Sequence, residues 1–161
     1  MIMVERLKFE GKWQRWVAFG FGSGLSPVAP GTIGTLIGIP VVIFFQLLPT
    51  VVVLLGTLLI VLLSVWLAGV VTRQIGMEDH PSIVIDEIAG YVLTMAMIPL
   101  TWWTVIAGFL IFRLLDIYKP PPADWLDRNC AGGLGITADD VVAGIYANLI
   151  MHGLLYFVGL I

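Results

Sequence analysis

The fold turns on one stretch: Pro81-Ser-Ile-Val-Ile-Asp-Glu-Ile-Ala-Gly-Tyr-Val-Leu-Thr-Met-Ala-Met-Ile-Pro-Leu-Thr-Trp-Trp-Thr-Val-Ile-Ala-Gly-Phe-Leu-Ile-Phe-Arg-Leu-Leu-Asp-Ile-Tyr118. Pro81 suits the first position of a helix. A helix from Pro81 to Ile98 would be about 27 Å long. Pro99-Leu-Thr101 then turns the chain, and Trp102 to Tyr118 forms a partner of similar length. In this hairpin Asp86, Glu87 and Asp116 lie at the same end. A single span across 88–112 would separate them instead.

The distribution of Lys and Arg decides for the hairpin. Basic residues mark the cytoplasmic side of membrane segments. With the hairpin, the basic N-terminus, Arg73, Arg113, Lys119 and Arg128 all fall on one side. The opposite turns, around Pro49 and Pro99, carry no charge.

A membrane reading is required by composition. The chain has 161 residues, 59% of them hydrophobic and 12% charged, with mean hydropathy +1.00. Soluble domains are nearer half apolar and a quarter charged. A chain this short cannot hide the excess in a core. Its length points to one membrane-embedded domain over 1–161. The net charge of −3 argues against a nucleic-acid partner. Cys130 is the single cysteine, so no internal disulfide can form.

Outward from the hairpin, the chain reads as an all-α polytopic membrane bundle. About four transmembrane helices are expected, with an interfacial helix at 1–19. That helix mixes charges with Trp13 and Trp16, which suit the headgroup zone. Residues 20–35 form a Gly/Pro loop, and 36–161 the helical bundle. Ile33–Leu48 is a little short for a span, whereas Val51–Thr72 is long enough to cross. The last helix is expected from Val141 onward. Glycines scattered through the apolar segments favour close helix packing in lipid.

Few charges remain, and they concentrate. Carboxylates inside membrane helices are expensive and functional by default. Asp79 and Asp86 share a helix face. The hairpin brings them and Glu87 beside Asp116, and Asp139 and Asp140 open the last helix at the same end. Such a cluster repels itself unless a cation sits within it, and oxygen-only ligand sets suit Mg²⁺. Arg113, Lys119 and Arg128 could neutralise phosphate. The Gly/Pro loop, entering a helix near Thr32, offers free N–H groups to an anion. His80 could serve as an acid or base. The blander readings are helix caps, surface ion pairs, a connecting turn and a structural histidine. Metal-assisted phosphate chemistry accounts for all the groups together.

Four blocks carry a family resemblance. They are Gly22-Ser-Gly-Leu-Ser-Pro-Val-Ala-Pro-Gly-Thr-Ile-Gly-Thr-Leu36, Asp79-His-Pro-Ser-Ile-Val-Ile-Asp-Glu87, Phe112-Arg-Leu-Leu-Asp-Ile-Tyr-Lys-Pro-Pro-Pro122 with Asp127-Arg128, and Gly132-Gly-Leu-Gly-Ile136 with Asp139-Asp-Val-Val-Ala-Gly-Ile-Tyr146. In this order they resemble the phosphatidylglycerophosphatase A family. The resemblance implies a Mg²⁺-dependent phosphatase of the bacterial inner membrane, multi-pass, with its site facing the cytoplasm. It would convert phosphatidylglycerophosphate to phosphatidylglycerol and phosphate, among membrane lipids, as a monomer or an oligomer. Asp79, Asp86, Glu87, Asp116, Asp139 and Asp140 would then hold metal. Thr32, Arg113, Lys119 and Arg128 would hold phosphate. Asp86, Glu87, Asp116 and His80 are the expected catalytic set. Two rivals have weaker support. A CDP-alcohol phosphotransferase lacks its Asp-Gly-x-x-Ala-Arg signature here. A cation or proton carrier would string acids along a path rather than gather them at one end.

Overall fold

The computed structural model describes residues 13–77 and 80–159. Among them there are seven α-helices: α1 (Trp13–Ala18), α2 (Pro30–Phe45), α3 (Thr50–Ile75), α4 (Ile85–Thr94), α5 (Trp102–Tyr118), α6 (Ala123–Asn129) and α7 (Gly132–Phe157). An irregular 3-10 segment, Gly20–Leu25, precedes α2 and bends at Phe21 and Gly22, both with positive φ. The described chain has no strand. The first two-thirds of the expected interfacial helix, residues 1–12, lies outside the described residues.

Local chemistry sets the helix ends. Pro30 starts α2, where its missing N–H is harmless. Pro49 separates α2 from α3. Gly76, with φ 75°, ends α3 in the left-handed conformation that glycine adopts without a steric penalty. Thr101 and Thr104 form a reciprocal cap at the start of α5.

At the centre lies α4. It packs against α7, α2, α3 and α5, and eight of its residues, Ile85, Asp86, Ile88, Ala89, Gly90, Tyr91, Val92 and Thr94, are buried. Its neighbours turn apolar side chains outward: Leu55, Leu59 and Leu62 on α3, Ile106, Leu110 and Leu114 on α5, and Leu149 and Leu154 on α7 are all exposed. An apolar exterior around a core containing acids is the pattern for a lipid solvent rather than water.

Two helices, α3 and α7, each 26 residues, are long and apolar enough to cross a membrane. The helices α2 and α5 are shorter, with 16 and 17 residues.

Several expected boundaries are corrected. The helix expected from Pro81 to Ile98 occupies only Ile85–Thr94, about 15 Å. Residues 80–84 form a turn instead. The N–H of Ile83 donates to the His80 carbonyl, and the Val84 N–H donates across to the Ala18 carbonyl. The Gly/Pro loop ends at 29 rather than 35. The last helix begins nine residues early, at Gly132 rather than Val141. Its first turn lies against α3: a Cβ on Gly133 would stand 1.9 Å from the Val65 carbonyl oxygen. Gly133 is contact surface, not loop. The short helix α6 has no counterpart in the sequence expectation.

Candidate active site

The acids are placed by three helices that meet near one end of α4. Asp86 and Glu87 lie in the first turn of α4. Asp140 faces them from α7. One carboxylate oxygen from each of the three lies within 4.8 Å of the others. Asp86 is 6% exposed and Asp140 3%. Glu87 is less buried, so it marks the side from which the group can be reached.

Hydrogen bonding leaves these oxygens unsatisfied. Asp86 Oδ1, Glu87 Oε2 and Asp140 Oδ1 have no hydrogen-bond partner among the described residues. Buried carboxylate oxygens are seldom left so, because each forfeits its hydration without replacement. Converging, unpartnered, hard oxygen donors fit Mg²⁺, which takes oxygen ligands and completes its shell with water and phosphate. Charge points the same way. Asp86, Glu87, Asp116, Asp127, Asp139 and Asp140 gather around Arg113 and Lys119, six carboxylates against two cations.

Asp116 reaches the site from α5. It pairs with Arg113 one turn before it, and Arg113 Nη1 also stands 4.0 Å from Glu87 Oε1. Arg113 therefore braces two acids rather than standing alone, while its Nε has no partner among the described residues. Asp139 turns the other way. Its Oδ2 lies 2.8 Å from Lys119 Nζ, which also binds Asp127 Oδ1 at 2.9 Å. Burial pulls the Lys119 ammonium toward neutrality, but hydrogen bonds and charge from Asp127 and Asp139 outweigh it and hold its pKa above the usual lysine range.

The remaining expected residues divide. Arg128 pairs with Asp124 in the same exposed helix and is not brought to the acids. His80 is buried; its Nδ1 accepts the Ser82 N–H, and its ring stacks on Phe19. It shapes the turn leading into α4. Asp79 lies outside the described residues. Thr32 sits half-buried in the first turn of α2. Asp139 and Asp140 lie in the third turn of α7 and not at its start.

Gly31 was missed in the sequence. A Cβ there would stand 2.2 Å from Glu87 Oε1 and 3.3 Å from Arg113 Nη1. The start of α2 thus lies directly against the accessible acid. The signal was present in Ala29-Pro-Gly31, but a glycine's neighbour cannot be read from its own position.

Comparison with known proteins follows the same lines. The family model for phosphatidylglycerophosphatase A matches residues 16–155. A phosphatidylglycerophosphatase A from Escherichia coli is 44% identical over 159 residues, covering 98% of this chain and 90% of the relative. One from Haemophilus influenzae is 43% identical over 143 residues, covering 88% of each. No solved structure gives a significant match.

Proposed function

Since the chain belongs to the phosphatidylglycerophosphatase A family, we propose that this enzyme hydrolyses phosphatidylglycerophosphate to phosphatidylglycerol and inorganic phosphate, with Mg²⁺ held by Asp86, Glu87 and Asp140. The observation that carries the metal assignment is the set of unpartnered oxygens on these three acids. Asp116 stands beside them, while Asp139 is turned away toward Lys119.

Phosphate monoesters resist hydrolysis because anionic oxygens repel the attacking water. Bound Mg²⁺ supplies positive charge against the phosphate oxygens and lowers the pKa of water. The protein's own groups do the rest. Arg113, braced by Asp116 and Glu87, brings a guanidinium to the reacting end of the site. Its planar fork suits phosphate oxygens. The N-terminal turn of α2, at Gly31 and Thr32, adds a positive dipole end on the same side. Glu87 is the least buried of the three acids and carries an unpartnered oxygen. It is placed to take a proton from water at the mouth of the site.

We place the site at the cytoplasmic face of the bacterial inner membrane. In this arrangement α2, α3, α5 and α7 cross the bilayer. Inside them, α4 and residues 95–101 carry the chain to the far side. The Gln46 side chain, just past α2, donates to the Ile98 carbonyl at 2.8 Å, so both turns lie at the same depth. The acids then fall at the end that holds Arg73, Lys119 and Arg128. A lipid phosphate held at the headgroup level can reach that end without leaving the bilayer.

Phosphate release tests the proposal. Purified protein in detergent micelles should release inorganic phosphate from phosphatidylglycerophosphate when Mg²⁺ is present and stop when EDTA is added. Undiminished release in EDTA would remove the metal from the account. No release under any divalent cation would remove the reaction.

A further inference from the structure

The helices α4 and α7 run side by side in the same direction, and their residues meet in three successive layers. Asp86 faces Asp140 in the first. One turn on, Gly90 faces Gly144: a Cβ on Gly144 would stand 2.6 Å from the Gly90 carbonyl oxygen. A Cβ on Gly90 would stand 2.9 Å from the Asp140 carbonyl oxygen and 2.6 Å from the Phe112 ring. Another turn on, Asn148 Nδ2 donates to the carbonyls of Thr94 and Ala96, at 2.9 and 2.8 Å, with that of Leu93 at 3.4 Å. Thr94 is the last residue of α4 and Ala96 lies just past it, where carbonyls lose their continuing helical partners; the Leu93 carbonyl also accepts the Ala96 N–H.

Each layer has a distinct physical effect. The glycine layer fixes the distance between the helices, because the groups facing one another are backbone and cannot swing aside. The Asn148 layer fixes the axial register, because its amide must reach carbonyls that exist only at the end of α4. Distance and register together determine where the Asp140 carboxylate lies relative to Asp86. Mg²⁺ tolerates little error in ligand placement, since it demands a near-ideal octahedron at about 2.0–2.1 Å.

We infer that Gly144 and Asn148 are positioning residues for the metal cluster, acting from one and two turns away and touching neither metal nor substrate. This rests on the reading that Asp86, Glu87 and Asp140 hold a divalent cation. The two buried aspartates, with their unpartnered oxygens, give the helix contact something to position. Close glycine packing alone would not.

Mn²⁺ binding, followed by electron paramagnetic resonance on detergent-solubilised protein, reads the effect without turnover. Gly144→Ala and Asn148→Ala should each weaken Mn²⁺ binding tenfold or more, the scale seen when ligand-orienting groups are removed. Both should lower kcat while leaving KM for the lipid near its original value. Gly38→Ala is the control. Its Cβ would stand 2.9 Å from the Tyr91 ring, which makes it a tight contact of α2 with α4 that does not involve α7. It should lower the melting temperature yet bind Mn²⁺ normally. Should Gly144→Ala fail to fold, Asn148→Ala decides. Folded variants that melt earlier but keep the original Mn²⁺ affinity would overturn the inference, because the contacts would then be packing only. Original protein that binds no Mn²⁺ would overturn the metal assignment and this inference with it.

Discussion

Lys119 forms its ion pair with Asp139, 2.8 Å away on α7, and not with Asp116, its neighbour on the preceding turn of α5. The chain leaves α5 at Lys119 in a left-handed conformation, with φ 50°, and this swings the side chain toward α6 and α7. Sequence spacing alone pairs residues three apart on a helix. The pairing fails here because Lys119 caps the helix rather than continuing it.

Lys119→Ala should therefore act on Asp139 and α6. Removing the ammonium leaves a buried carboxylate without its partner, at a cost of about 1–3 kcal/mol. Differential scanning of the solubilised protein should show a lower melting temperature, while KM for the lipid changes little. The pH dependence follows from the raised lysine pKa. The ammonium stabilises the fold fully below the unfolded lysine value of about 10.4 and loses that effect only as pH rises through the higher folded value. The melting difference between original and variant should stay constant from about pH 7 to pH 9. A large rise in KM with unchanged melting would return Lys119 to the phosphate.

Asp86→Asn should make the metal-free protein more stable. Three carboxylates lie within 4.8 Å, and neutralising one relieves repulsion among them. The melting temperature without metal should rise by about 2–4 °C, the shift that about 1 kcal/mol gives a chain of this size. Added Mg²⁺ should stabilise the original protein and leave the variant unmoved. A marked fall in metal-free melting temperature, with activity kept, would make Asp86 a structural residue.

Gly31→Ala separates the site from the fold. The added methyl would meet Glu87 Oε1 at 2.2 Å. A glutamate side chain can swing away, so the fold should survive with a change of about 1 kcal/mol or less. The displaced acid should lower kcat by about tenfold or more, as small misplacements in catalytic sites do. Normal turnover in Gly31→Ala would mean that the start of α2 plays no part in holding Glu87.

Much of this was legible in the sequence. Apolar composition and the few clustered acids announced a helical bundle with an apolar exterior and one acidic end, and Pro49 marked a real boundary, whereas α4 ends at Thr94, well before Pro99. Asp86 and Glu87 stood out because a carboxylate inside an apolar run needs a reason. Three things were hidden. Gly132-Gly133 reads as loop because glycine weakens a helix, yet here Gly133 lets α7 approach the α3 backbone. Asp139 and Asp140 read as equivalent neighbours, whereas successive helical residues point about 100° apart and only one can face α4. The ladder Asp86, Gly90, Thr94 against Asp140, Gly144, Asn148 shows equal spacing in both segments, but spacing does not reveal which helices are paired.

The proposed topology has a separate test. In a Cys130→Ser background, single cysteines at Met77 and Asp124 should react with membrane-impermeant reagents from the cytoplasmic side. Cysteines at Leu47 and Trp102 should react from the opposite side. Leu47, Met77 and Trp102 are exposed and Asp124 is partly exposed in the fold, so accessibility reports the membrane and not burial. Labelling of positions 77 and 124 from opposite sides would break the arrangement of four crossing helices.

The central claim is that the cation is held where α4 meets α7, and two adjacent residues test it most directly. Asp140 points into the carboxylate cluster, while Asp139 points to Lys119. The measurement is phosphate release from phosphatidylglycerophosphate as a function of Mg²⁺ concentration, for Asp139→Asn and Asp140→Asn beside the original enzyme. Asp140→Asn should raise the Mg²⁺ concentration for half activity by about tenfold or more. Asp139→Asn should leave that concentration nearly unchanged and lower the maximum rate only modestly. If Asp139→Asn shifts the Mg²⁺ curve as far as Asp140→Asn, or if neither does, the cation is not held by the cluster described here.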